Sequence, residues 1–206
     1  MSYENLLVQP TTTTYRLGFS TLREGANRII DNPEFRKALY LAIDRDKLIE
    51  DLKMPFMPTQ GYLNDLYYSS PNNHVSYRNS DPGKAVLEPF AGDSNGYDPV
   101  EAKRLFDEAV AKEVLEGRME TGSKVIVEYM LAIETEFQSS IANWLSAQFE
   151  SVFGSENFEL SQRTLDAYLL TVGTDIYGSG DFDLHLFAWQ GLQFNAPSLL
   201  QVFSSV

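Results

Sequence analysis

The chain has 206 residues, 29 acidic against 16 basic side chains, and a formal net charge of −13. A nucleic-acid partner would need a local basic patch, and none appears in the sequence. With no cysteine, disulfides, thiolate metal sites and a cysteine nucleophile are excluded, while 43% hydrophobic residues suffice for one large domain or two small ones.

In chain order, residues 3–8 and 14–21 alternate or run apolar and predict strands, with Pro10 and a threonine run between them. Residues 32–46 predict one capped amphipathic helix, continuing to residue 52. Asn32 is the expected N-cap and Pro33 sits where a missing N–H does no harm. Phe35, Ala38, Leu39 and Ala42 repeat on one face, and Leu48, Ile49 and Leu52 extend that stripe. Residues 53–97 hold five prolines and many turn formers, so a meandering segment with short turns is expected, packed by Phe56, Tyr62, Leu66, Tyr67 and Tyr68.

A second helix is predicted over 98–117. Asp98 caps it, Pro99 is its first residue, Glu101 completes a capping box and Gly117 closes it. Its buried stripe is Leu105, Phe106, Ala109 and Val110. Residues 124–131 predict a strand with Val125, Val127, Tyr129 and Leu131 on one face. A helix is expected over 134–153, ended by Gly154, and then a short strand over 157–162. A short helix over 164–172 and a last strand over 182–189 follow. Such alternation predicts an α/β fold with a largely parallel or mixed sheet flanked by helices.

The best site candidates follow that last strand. Trp189 ends it, and a glycine-containing loop, Gln190-Gly191-Leu192-Gln193-Phe194-Asn195, comes next. Alternation points Asp183, His185, Phe187 and Trp189 one way and Phe182, Leu184, Leu186 and Ala188 the other. An aromatic at a strand's carboxyl end suits a ligand wall, and it equally suits a core tryptophan closing the sheet. Other constellations are weaker. Asp93-Ser94-Asn95-Gly96-Tyr97-Asp98 begins like a calcium loop, but Arg104 stands where a glutamate is required. Asp98 is better explained as a cap, so no metal site is assigned. Gly178-Ser179-Gly180 lacks the setting of a dinucleotide loop, and no cofactor is implied. His185 reads as a satisfied structural histidine. Tyr67, Tyr68 and Trp144 read as core aromatics. No nucleophile, base and orienting group can be named together, which counts against an enzyme.

Four stretches carry a further signal. Phe35-Arg36-Lys37-Ala38-Leu39 with Ala42-Ile43-Asp44-Arg45 resembles a signature of the peptide-binding proteins of ABC importers, the family 5 extracellular solute-binding proteins for oligopeptides, dipeptides and nickel. Upstream, Thr13-Thr14-Tyr15-Arg16-Leu17-Gly18-Phe19-Ser20 is similar to the strand that precedes this signature. Downstream, Tyr97-Asp98-Pro99 with Ala102-Lys103-Arg104-Leu105 is similar to a later helix. Phe182-Asp183-Leu184-His185-Leu186-Phe187-Ala188-Trp189, followed by Pro197, is similar to the strand that lines the cleft. Together they span residues 13–197 in the family's order.

The resemblance implies a periplasmic-binding-protein-like type II lobe. Residues 1–206 would form a single lobe of a two-lobe receptor of about twice this length or more. Met1-Ser2-Tyr3-Glu4-Asn5 has none of the features of an export signal, and no stretch approaches the roughly 20 apolar residues of a membrane span. The implied parent is extracellular or periplasmic and lipid-anchored, with an oligopeptide ligand and ABC permease subunits as partners. The protein is expected to be a monomer and not an enzyme. The implied ligand-lining residues are Trp189, Gln190, Gly191, Leu192, Phe194 and Asn195. Two charged handles of relatives are missing. Leu192 stands where an aspartate often meets the peptide's ammonium, and Leu186 where a basic residue receives a carboxylate. The tryptophan-to-proline spacing is one residue longer than usual. A sensor or interaction lobe without transport, or a receptor for another solute, is the alternative.

Overall fold

The computed structural model describes residues 11–20, 23, 28–61, 63–70, 72–90, 94–131, 135–165 and 180–190. The strand expected at 3–8 lies outside them, as does the helix expected over 164–172 apart from its first two residues, of which Thr164 ends a strand instead. The chain divides into two compact units. The larger comprises Leu17–Gln60 and Phe90–Phe187; the smaller comprises Met1–Arg16, Gly61–Pro89 and Ala188–Val206.

The described strands are β1 (Thr13–Phe19), β2 (Tyr68–Ser70), β3 (Asn73–Ser76), β4 (Val125–Leu131), β5 (Phe158–Thr164) and β6 (Leu184–Gln190). The helices are α1 (Pro33–Leu41), α2 (Arg45–Asp51), α3 (Asp81–Leu87), α4 (Pro99–Leu115) and α5 (Glu136–Phe153). A four-stranded sheet has the order β1-β6-β4-β5. β4 pairs in parallel with β5 from Val125↔Phe158 to Leu131↔Thr164, and with β6 at Tyr129↔Leu184 and Met130↔His185. The Ser20 N–H donates to the Asp183 carbonyl at 3.0 Å. The end of β1 therefore meets the start of β6, and the sheet is mixed, as the sequence pattern predicts.

Alternation along β4 builds the main core. Val125, Val127, Tyr129 and Leu131 are all buried, together with Phe158 and Leu160 of β5 and Leu184 of β6. Against them pack Phe35, Ala38 and Leu39 of α1, Leu105, Phe106 and Ala109 of α4, and Ile141, Leu145, Phe149 and Phe153 of α5. Phe106 is the centre of an aromatic cluster. Its ring stacks on Phe153 at 4.5 Å between centroids and meets Phe35 at 6.1 Å and Phe158 at 6.2 Å. On the other face of the sheet Met130, Leu165 and Phe182 form a small second cluster, with Phe187 against it. Phe182 thus groups with Phe187 rather than with Leu184, because the strand begins only at Leu184 and the alternation does not reach back to residue 182.

The single helix expected over 32–52 is two. α1 ends at Leu41, and α2 starts anew with Asp44 as its cap, its Oδ1 accepting the Lys47 N–H at 3.0 Å. An aspartate three residues before a free N–H offers the backbone an alternative to continuing the helix, and the apolar period alone hides this break. The capping box at α4 is half formed. Asp98 Oδ1 accepts the Glu101 N–H at 3.0 Å, while the Asp98 N–H goes to the Leu41 carbonyl at 2.9 Å and the Glu101 carboxylate to Arg104. Gly117, at φ 70°, stands just past α4 as expected. β5 runs two residues further than predicted, through Thr164.

In the smaller unit the irregular stretch is ordered by polar contacts around one aromatic. Tyr67 is fully buried, and its hydroxyl donates to the Thr12 carbonyl at 3.1 Å. Tyr68 and His74 meet edge to face across the antiparallel β2–β3 hairpin. Phe56, in the larger unit, is more exposed than expected and touches Phe137. Gly83 in α3 is fitted tightly: a Cβ there would overlap the Tyr77 carbonyl oxygen and lie 2.8 Å from Arg78 Cα. Backbone atoms cannot step aside, so Gly83→Ala should destabilise this unit by about 1–3 kcal/mol despite alanine's better helix propensity. A higher melting temperature would contradict the packing described here.

Candidate functional site

Trp189 and Gln190 are the last two residues of β6, and Gln190 is exposed. The strand's carboxyl end is therefore where the alternation placed it. Gly191, Leu192, Phe194 and Asn195 lie outside the described residues. Leu186 is partly buried and packs against the main core on the helix-covered face. His185 is buried with Nδ1 2.8 Å from the Met130 carbonyl oxygen, its ring edge-on to Phe187 at 4.7 Å. Burial pushes its pKa down, against the pull of the Met130 carbonyl. It is a neutral, satisfied structural histidine, as the sequence suggests.

The start of β6 is held by an ion network. Arg23 Nη1 lies 3.2 Å from Glu128 Oε1 and 3.4 Å from Asp183 Oδ1, and its Nε 3.4 Å from Asp181 Oδ1. Arg163 Nε reaches the same Glu128 oxygen at 2.7 Å, and its Nη2 donates to the Asp181 carbonyl oxygen. The Glu128 N–H donates to Asp183 Oδ2 at 2.9 Å. Burial pushes the Asp183 carboxyl above the usual range, opposed by that N–H and by Arg23. All three carboxylates are engaged by guanidinium or backbone donors. The network anchors the strand that carries Trp189; it offers no free base. Sequence reasoning missed it, since its members lie as far apart as residues 23 and 183 and share no local period.

The signature residues prove to be scaffold. Asn32 Oδ1 accepts the Glu34 N–H at 2.9 Å to cap α1, and the same side chain helps hold the Glu113 carboxyl, near the end of α4, below its usual range. Arg45 lies over the Tyr40 ring at 4.3 Å and donates to the carbonyls of Ile43, Asn95 and Tyr40 at 3.0, 3.1 and 3.3 Å. Thus α1 is tied to α4 or its entry turn at both ends. Asp98 is a cap, and Arg104 pairs with Glu101 and Glu108, so the calcium-loop reading falls to the structural one. Of Gly178, Ser179 and Gly180 only the last is described; its carbonyl accepts from Ser20 Oγ at 2.7 Å. Among the described residues no group of three or more metal-ligating side chains is present, and no helix is long and apolar enough to cross a membrane.

Comparison with known proteins places this fold. The profile of the bacterial extracellular solute-binding proteins, family 5, middle region, matches residues 2–206. No curated protein sequence matches significantly. Among solved structures, the oligopeptide-binding protein OppA of Listeria monocytogenes bound to peptide is similar at a TM-score of 0.69 and 17% identity, over 94% of this chain and 34% of that one. An oligopeptide ABC transporter substrate-binding domain from Bacillus anthracis has a TM-score of 0.69 and 15% identity, over 95% and 33%. OppA of Haemophilus influenzae in complex with RPPGFSPFR has 0.63 and 16%, over 95% and 33%. The chain spans about a third of the length of these relatives. A family match across nearly every residue, on a mixed α/β sheet shared with those structures, makes this chain a member of the family 5 bacterial extracellular solute-binding proteins, a class of binding proteins rather than enzymes.

Proposed function

We propose that the chain is one lobe of the substrate-binding component of a peptide ABC importer, closing by a hinge with a second lobe around an extracellular oligopeptide. The observation that carries this reading is the family match over residues 2–206. The fold it shares with the peptide-bound Listeria protein supports it. The chain's span of about a third of such relatives agrees with a lobe within a longer receptor. That parent is extracellular or periplasmic, lipid-anchored and monomeric, and delivers its ligand to ABC permease subunits. Trp189 forms a wall of the cleft, with Gln190, Gly191, Leu192, Phe194 and Asn195 around the ligand.

In the full-length parent, Trp189→Ala should weaken peptide binding by about 2 kcal/mol or more, the scale of a buried aromatic anchor. Calorimetry against a mixed peptide library measures it. A lower melting temperature with an unchanged binding constant would make Trp189 a core residue instead. Leu192→Asp is the sharper variant, because it restores an acidic handle. It should raise the preference for a free over an acetylated peptide amino terminus.

A second reading, a receptor for a non-peptide solute or a sensor without transport, is favoured by one observation. Leu186, a leucine where some relatives carry a basic residue, is partly buried against the main core, so this position supplies no cation for a ligand carboxylate. Peptides that fail to bind the parent while another solute binds, or a gene neighbourhood without permease and ATPase, would select it.

A further inference from the structure

The turn before α4 carries an Asn-Gly pair outside the proposed ligand wall. Asn95 has φ 48° and Gly96 φ 82°, two successive left-handed residues. Asparagine is among the few residues with a side chain that accept this region readily. At Gly96 no side chain fits, since a Cβ would lie 2.7 Å from Tyr40 Oη. The turn therefore demands this dipeptide. It is also the dipeptide most open to self-attack, because glycine leaves its own amide nitrogen unhindered. α2 restrains it on two sides. Arg45 Nη1 donates to the Asn95 carbonyl at 3.1 Å, and Asn95 Nδ2 donates to Asp46 Oδ2 at 2.8 Å. The Tyr97 N–H closes the turn on the Ser94 carbonyl at 2.9 Å.

We propose that Asn95 is a site of spontaneous deamidation, gated by the Arg45–Asp46 clamp. The Gly96 backbone nitrogen attacks Asn95 Cγ; the new N–C bond forms as Cγ–Nδ2 breaks, and ammonia leaves with the proton given up by the Gly96 nitrogen. Water then opens the succinimide at either carbonyl, leaving aspartate or isoaspartate and restoring a backbone N–H. Water is the only co-reactant. While the clamp is closed, the departing amide is held on Asp46 and the carbonyl of the 95–96 peptide on Arg45, so attack waits for a local opening. The product does not fit the closed turn. The loss of ammonia makes conversion one-way, and a carboxylate at position 95 then faces Asp46 where a donor stood, which loosens the corner between α2 and α4.

The test incubates the 206-residue chain in mildly alkaline buffer, folded and in urea, and follows residue 95 by peptide mapping with isoaspartate detection. Folded wild type should convert at least about tenfold more slowly than the unfolded chain, and Asp46→Ala should close most of that gap. Equal folded and unfolded rates, or an Asp46→Ala rate equal to folded wild type, would overturn the gating. Asn95→Asp should melt at least about 3 °C below wild type, and adding Asp46→Asn, which returns a donor to the pair, should recover it. An Asn95→Asp chain as stable as wild type would overturn the incompatibility of the product.

Discussion

Phe106→Ala should cost the larger unit about 3–5 kcal/mol, a large share of the roughly 5–15 kcal/mol by which a domain is stable. The ring is 2% exposed and contacts Phe35, Phe153 and Phe158 from α1, α5 and β5. Its removal empties a space bounded by three elements that cannot all close on it, so the cavity adds to the lost transfer energy. Denaturant unfolding followed by near-UV dichroism reads the change. Phe106→Leu, which keeps most of the volume, should lose much less. Equal losses for the two variants would mean that ring volume is not what the cluster uses.

Arg118→Ala should lower the melting temperature near neutral pH, because it leaves a buried carboxylate without its main partner. Glu113 is 3% exposed, an unusual place for a carboxylate. Arg118 holds it with two bonds, Nε to Oε2 at 2.6 Å and Nη2 to Oε1 at 2.9 Å. These bonds keep the Glu113 carboxyl below its usual value of 4.5; burial opposes them and Asn32 assists. A carboxylate whose folded pKa is depressed contributes stability that is complete above its unfolded value and is lost as pH falls through the folded one. Without Arg118 the largest cause of that depression is gone while burial still opposes the charged form, so most of the pH-dependent stabilisation goes with it. The gap in melting temperature between wild type and Arg118→Ala should therefore be widest near neutrality and shrink below about pH 4.5. A gap independent of pH would show that Arg118 acts through packing of its stem alone.

Glu113 also shows where sequence reading stops. It occupies a charged-looking position on a helix whose apolar stripe was legible, and nothing local says that it turns inward. Its charge is favoured there by Arg118, beyond the helix end, and by Asn32, some 80 residues earlier. Arg45 is a similar case. The motif that contains it was recognisable as a family signature, yet the reason for the arginine is three carbonyls and a tyrosine ring brought together by the α1–α2 break and the turn at Asn95. The same break was invisible to periodicity, because Leu48, Ile49 and Leu52 continue the apolar stripe across it.

Local physics is written in short windows, and this chain's windows are clear. Asn32 and Asp98 cap helices because their side chains reach a free N–H within three residues. β4 sets Val125, Val127, Tyr129 and Leu131 on one buried face, and Gly117 and Gly154 mark helix ends by their positive φ. These features determined the element order and the α/β class, and the wording of four motifs pointed to the family. The tertiary structure decided the rest: the strand order β1-β6-β4-β5, the packing of Leu186 against the main core, and the ion network that joins Arg23, Glu128, Arg163, Asp181 and Asp183 at the start of β6. Each depends on contacts between residues far apart in the chain, whose free energy is gained only once the backbone has already brought them together.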